Sequence, residues 1–183
     1  RQRQMCIRDR INNACLAIDA AAVITENGLP IETDEIISGL KKTRWGGRIE
    51  VLNDSPVIIC DATHNPQGAK VLRAALDERY KDKEIVYIMG VMKDKNYDKM
   101  AEIVLKDAYA TITVTPDWHR ALDARELLET VKKYCANSYA GDTIEEAMET
   151  ALEIAGNKGI ICSFGSLYYV ADVKQFVREK FSG

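Results

Sequence analysis

The sequence predicts an α/β fold in three layers, around a mixed sheet that is mostly parallel with one antiparallel edge strand, preceded by two helices. Three observations predict it. From Glu84 onward, short β-branched runs alternate with amphipathic helical segments, the rhythm of a parallel sheet with helices on both faces. Just upstream, two strand-like runs flank a cluster of turn residues, a hairpin that adds an antiparallel strand at one edge. The composition, 46% apolar and 29% charged over 183 residues, is that of a soluble globular chain, and no run approaches the roughly 18 apolar residues that would span a bilayer.

The elements follow in order. Residues 1–10, RQRQMCIRDR, lack the apolar core of a signal peptide and read as a non-native leader on a truncated chain. Ile11 to Glu26 reads as a helix whose Ile11, Cys15, Ile18 and Ala22 stripe is widened by Leu16, Ala20 and Val23, so it asks for burial on several sides. Gly28 and Pro30 stop it. A short second helix takes Thr33 as N-cap, with Asp34 and Glu35 at its start and Lys41 and Lys42 at its end, an order that suits the helix dipole. After a linker from Thr43 to Gly47, Arg48–Leu52 and Pro56–Cys60 form the hairpin about Asn53-Asp54-Ser55. A helix from Pro66 carries Val71, Leu72, Ala75 and Leu76 on one stripe. Strands are expected at Glu84–Met89, Tyr109–Thr115, Cys135–Tyr139 and Gly159–Phe164. Helices are expected at Tyr97–Leu105, Ala124–Tyr134, Ile144–Ala155 and Leu167–Phe181. The whole is Rossmann-like.

Chemistry concentrates in loops at the carboxyl ends of strands, where open α/β sheets bind ligands. Asp61-Ala62-Thr63-His64-Asn65-Pro66 follows one strand directly. Pro66 suits the first helical position and Asn65 the N-cap, which sets Asp61 and His64 beside a helix N-terminus that favours anions. Capping alone, with His64 an exposed loop histidine, explains the same residues equally well. Gly165-Ser166 offers a sharp turn and a hydroxyl that either caps a helix or meets a ligand. Lys93 and Lys95 follow another strand and suit an anion or simply water, and Trp118, His119 and Arg120 follow a fourth. Arg48 comes after Gly46-Gly47; its planar cation suits phosphate, or else a surface salt bridge.

Several classes are excluded or disfavoured. A net charge of −3 argues against a nucleic-acid surface. Five cysteines without a C-x-x-C pair, three of them (Cys15, Cys60 and Cys162) in apolar segments, read as reduced thiols in a cytoplasmic setting. The two histidines stand apart from any cysteine cluster, against zinc. There is no G-x-x-x-x-G-K-[ST], no G-x-G-x-x-G after a strand and no acidic cluster suited to magnesium, so the chain is not expected to activate a nucleotide by itself.

Four of these stretches, W-G-G-R-I-E, D-A-T-H-N-P, G-V-M-K-D-K and G-S-L-Y, resemble W-P-G-R-x-E, D-G-A-H-N-P, G-x-x-x-D-K and G-S-L-Y of the folylpolyglutamate synthase and dihydrofolate synthase family in the Mur ligase superfamily. Asn13-Ala14 is similar to a pair on the last helix of that family's ATPase domain. The departures are Gly46 for proline and Ala62-Thr63 for Gly-Ala. The resemblance implies residues 11–44 as the remnant of a central ATPase domain and 45–183 as the C-terminal glutamate ligase domain. It implies ATP-dependent addition of L-glutamate to a folate (tetrahydrofolate or dihydropteroate) through an acyl phosphate, by a cytoplasmic, monomeric enzyme. It further implies ATP contacts at Asn13, Arg48 and Asp61, and places His64 and Ser166 toward glutamate, His64 as proton acceptor or orienting group. Asn65 and Lys95 are further loop candidates. ATP and Mg2+ would serve the full-length enzyme, with no metal ligands expected in this chain. A muramyl-peptide ligase, which shares D-x-x-H-N-P, and a stand-alone binding domain are the competing expectations.

Overall fold

The computed structural model describes residues 7–43 and 46–181, with side chains from Asn13 onward. Residues 1–6 of the expected leader, and Trp45, which opens the W-G-G-R-I-E stretch, lie outside the described residues. The chain divides into two compact units, residues 1–45 and 46–183.

The first unit holds two helices, α1 (Ile7–Glu26) and α2 (Thr33–Lys42). The α1 helix begins four residues before the expected start. Its Leu16 and Val23 are 66% and 56% exposed, and Cys15 is exposed as well, although the apolar pattern asks for burial on several sides. The cap of α2 is Glu32 rather than Thr33. The Glu35 carboxylate reaches back to accept the Glu32 N–H at 3.0 Å, which satisfies a free donor at the helix start.

The second unit carries β1 (Glu50–Asp54), β2 (Val57–Asp61), α3 (Pro66–Arg79), β3 (Ile85–Met89), α4 (Tyr97–Val104), β4 (Ala110–Thr113), α5 (Ala124–Val131), β5 (Ser138–Ala140), α6 (Ile144–Ala155), β6 (Ile160–Phe164) and α7 (Val170–Phe181). The six strands run in the order β1-β2-β6-β3-β4-β5. Only β1 is antiparallel, pairing with β2 at the edge, while the other pairs are parallel. This is the mixed sheet that the sequence predicts.

Strand periodicity sorts the apolar side chains into two cores, because successive residues of a strand point to opposite faces. Ile59, Tyr87, Met89, Cys162 and Phe164 pack on one face with Leu72, Leu76, Met100, Val104 and Leu127, from α3, α4 and α5. Ile58, Cys60, Val86, Ile88 and Ile161 pack on the other with Ala147, Met148, Ala151, Val173 and Val177, from α6 and α7. Burial pushes the Cys60 thiol up to about 12 and raises that of Cys162 as well, so both act as small hydrophobes. All the parallel strands end at one edge of the sheet, and the loops leaving it are side by side.

Candidate functional site

The β2–α3 loop begins at Asp61, which is only 3% exposed. Its carboxylate organises two stretches of backbone: Oδ1 accepts the Thr63 N–H at 2.8 Å, and Oδ2 accepts the Ile49 N–H at 2.8 Å. A third bond, from the Ala62 N–H to the Gly47 carbonyl at 2.7 Å, closes the same seam. Asp61 therefore ties the loop before β1 to the loop after β2.

That seam shapes the backbone about Arg48. The sequence reading starts the strand at Arg48, but β1 begins at Glu50. The cause is local: Gly47 has φ +70° and Ile49 φ +45°, which breaks the extended run. Glycine takes such a φ freely, whereas a β-branched residue there costs about 1–2 kcal/mol. Strain of this kind persists only when surrounding bonds over-determine it, as the Asp61 bonds do. Arg48, between the two, is exposed.

Asn65 caps α3 as expected, its side chain accepting the Gly68 N–H at 2.8 Å, with Pro66 in the first turn. His64 is exposed, and its Nδ1 lies 3.0 Å from the Ala62 carbonyl. A carbonyl oxygen only accepts, so Nδ1 carries the hydrogen, and in the neutral ring Nε2 is left as the acceptor. The DATHNP loop thus offers an imidazole acceptor at the N-terminus of a 14-residue helix, where the dipole favours anions.

Beside it runs the β6–α7 loop. Ser166 is buried, and its Oγ accepts the Tyr168 N–H at 3.2 Å, a turn that delays α7 to Val170, three residues past the expected start. Gly165 has φ +120°, and a Cβ there would stand 2.3 Å from the Gly90 carbonyl oxygen, so two loops meet backbone to backbone. The β3–α4 loop is laced in turn to the β4–α5 loop by Leu122 N–H to Val91 O and Lys93 N–H to Arg120 O, both 2.9 Å. Lys95, expected as an anion ligand, ion-pairs with Asp94 at 3.0 Å. The Lys95 ammonium holds the exposed Asp94 carboxyl below its ordinary value, with Arg120 adding to the effect. Trp118 stacks on Tyr168 with ring centroids 4.5 Å apart, a contact across 50 positions of sequence that no local pattern announces.

The structure brings Arg48, Asp61, His64 and Asn65 onto two bonded loops, and Ser166 onto the loop after β6, the neighbour of β2. Lys95 follows β3, on the far side of β6. Asn13 belongs to the first unit, exposed on α1. One pair escaped the sequence reading. Glu50 Oε2 accepts the Gly47 N–H at 2.6 Å and meets Lys174 Nζ at 2.7 Å. Burial pushes the Glu50 carboxyl up, but Lys174 and the Gly47 N–H outweigh it and leave it below its ordinary value. Glu50 closes the W-G-G-R-I-E stretch and was open to notice, whereas Lys174 sits in a helix with no motif around it.

Comparison with known proteins adds the family. The Mur ligase, glutamate ligase domain model matches residues 47–167. Among curated relatives, the dihydrofolate synthase/folylpolyglutamate synthase of Bacillus subtilis is 27% identical over 164 residues, covering 89% of this chain and 38% of its own length. The folylpolyglutamate synthase of Lacticaseibacillus casei is 30% identical over 164 residues, covering 89% of this chain and 37% of its own length. The chain thus spans under two-fifths of the curated relatives it matches. Among solved structures, E. coli FolC in complex with DHPP and ADP superposes with a TM-score of 0.74 at 23% identity, over 92% of this chain and 39% of that one. A Mycobacterium tuberculosis folylpolyglutamate synthase complexed with ADP and AMPPCP gives 0.70 at 20% identity, over 80% and 35%. At those identities the likeness establishes the shared fold.

Proposed function

Since the chain belongs to the Mur ligase family of glutamate ligase domains, we propose that it forms one wall of the ATP and glutamate site of a folylpolyglutamate synthase. Such an enzyme adds L-glutamate to a folate in an ATP-dependent reaction through an acyl phosphate. The observation that carries this reading is the Asp61 seam, which bonds the loop bearing an exposed arginine to the loop that bears His64 and leads into α3. The parts not found in this chain, a phosphate loop above all, would come from further domains, in keeping with the greater length of the relatives. We place the whole enzyme in the cytoplasm as a monomer.

Each residue has a role that its geometry supports. Arg48 would hold the phosphates and neutralise charge that grows as the phosphoryl group is transferred. Asp61 serves ATP through the loop it holds, because both its oxygens already accept backbone amides. His64 Nε2 would orient glutamate or accept the proton that its ammonium must lose before the amine attacks. Ser166 and Lys95 would lie toward the glutamate carboxylates, Lys95 in exchange for Asp94. Among the described residues no group of three or more His, Cys, Asp or Glu stands together as a metal cradle. A magnesium ion accompanying ATP would add positive charge at the phosphates when bound.

The test is to express the complete reading frame and assay extension of tetrahydrofolate with ATP and glutamate. Loss of that extension in Arg48→Ala, by about 100-fold or more as for removal of a charge-stabilising group, is the expected result, with circular dichroism unchanged. Wild-type rates in that variant would remove Arg48 from the mechanism.

A further inference from the structure

The loop that presents Arg48 is fastened from two sides, and only one of them belongs to the DATHNP stretch. The other is Glu50. Its Oε2 is shared between the Gly47 N–H at 2.6 Å and Lys174 Nζ at 2.7 Å. Lys174 stands on the second turn of α7, four residues after Val170, so the two side chains share a helix face. A Cβ at Gly47 would contact Val170 at 3.4 Å, and one at Gly46 would meet Lys174 Nζ at 2.8 Å. Residues 46 and 47 therefore lie directly on α7. The Lys174–Glu50 pair is about two-thirds covered, with side chains 29% and 34% exposed, so screening by water is weaker than for a fully exposed pair.

We propose that Lys174 is a positioning residue for Arg48: by neutralising Glu50 it keeps that carboxylate on the Gly47 N–H, and so fixes the loop from which the arginine reaches its ligand. The logic follows from what the carboxylate does without its cation. A half-buried charge lacking a partner turns to water. The Gly47 N–H then loses its acceptor, and the left-handed backbone at Gly47 and Ile49 is secured by the Asp61 seam alone. Arg48 stays in the chain but samples more orientations, and each ordered contact it makes with an anion costs more entropy. The proposal rests on the reading of Arg48 as a phosphate ligand only for what the arginine meets, not for what fixes it.

Amide hydrogen exchange followed by NMR on the whole chain tests the positioning directly. In Lys174→Met, protection of the Gly47 and Ile49 amides should fall by about tenfold or more, with Ile59 in β2 and Val177 in α7 unchanged. Lys174→Arg, which keeps the charge, should restore it. Unchanged protection at Gly47 and Ile49, or an equal fall at Ile59 and Val177, overturns the proposal. A second arm titrates ATP and inorganic tripolyphosphate into wild type, Arg48→Ala, Lys174→Met and the double variant. Positioning predicts that Lys174→Met weakens binding in the wild-type background but adds nothing in the Arg48→Ala background. Losses that add in the double variant mean that Lys174 meets the anion itself, and positioning fails. If Arg48→Ala on the complete reading frame keeps wild-type rates while Lys174→Met still loosens Gly47 and Ile49, the phosphate reading of Arg48 falls and the positioning stands.

Discussion

Asp61 shows how one buried side chain fixes the chemistry of two loops. Its oxygens accept the Thr63 and Ile49 amides, both at 2.8 Å, and among the described residues neither amide has another acceptor. In Asp61→Asn one oxygen becomes an NH2 group and faces a donor. The expected loss is about 1–3 kcal/mol, the cost of an unsatisfied buried donor, read as a lower urea midpoint with an unchanged slope; a loss within 0.5 kcal/mol, about the size of a typical exposed-surface change, would mean that the seam does not depend on the carboxylate. Glu50 adds a pH dependence whose sign is set by its lowered pKa. Its ionised form is favoured in the folded loop, so its contribution is fully present above its ordinary value of 4.5 and is lost as the pH falls through the lower folded value. The neighbouring Cys60 thiol, pushed up by burial, stays neutral across that window. The Gly47 amide shift should therefore titrate with a midpoint below 4.5, and a midpoint above it would show that Lys174 does not stabilise the carboxylate. The residues of DATHNP were legible in sequence because proline, asparagine and a preceding strand leave few geometries open. Lys174 was not, because its partner lies 124 positions away and helix spacing says nothing about it.

At the scale of elements, the sequence reading found each helix and strand and misplaced some of their ends, for local reasons. The hairpin was expected to turn at Asn53-Asp54-Ser55, yet β1 runs on to Asp54 and β2 starts at Val57. Asn53 uses its side chain to donate to the Pro56 carbonyl at 2.8 Å, so it braces the turn from within the strand. The weak strand expected from Cys135 begins instead at Ser138, because Ser138 Oγ donates to the Cys135 carbonyl at 2.6 Å and bends the chain at residues 136–137. The start of α7 was displaced by the Ser166 turn, and also by Tyr169, whose buried hydroxyl donates to the Phe164 carbonyl. Burial raises that phenol far above its ordinary range, so it stays a neutral donor. Side-chain bonds to nearby backbone compete with helix and strand in each case, and periodicity does not register them. At α3, unlike α2, the expected cap is the one observed: Asn65 is the N-cap of α3. Replacing it in Asn65→Ala should cost about 1 kcal/mol and raise amide exchange at Gly68, with little change at Leu76; an unaltered Gly68 would show that Pro66 alone starts the helix.

For the molecule as a whole, the question is which residues make the fold that carries the site. Among the described residues both cores are built from Ile49 onward, and the strand alternation that sorts them was visible in the sequence from Val57 to Phe164. The large apolar side chains of α1, by contrast, are exposed, with Leu16 at 66% and Val23 at 56%. The second unit thus carries two apolar cores of its own, and burial is the main source of folded stability. A chain of residues 46–183 should accordingly unfold cooperatively, with a Tm within about 4 °C of the full chain, the shift that roughly 1 kcal/mol makes in a domain of this size. It should also self-associate less, because exposed apolar stripes on α1 promote association. Differential scanning calorimetry and light scattering on the two chains decide the matter. A Tm lower by 10 °C or more, or the loss of a single cooperative transition, would mean that the first unit contributes to the stability of the sheet, and that the Arg48 loop depends on it for more than covalent continuity.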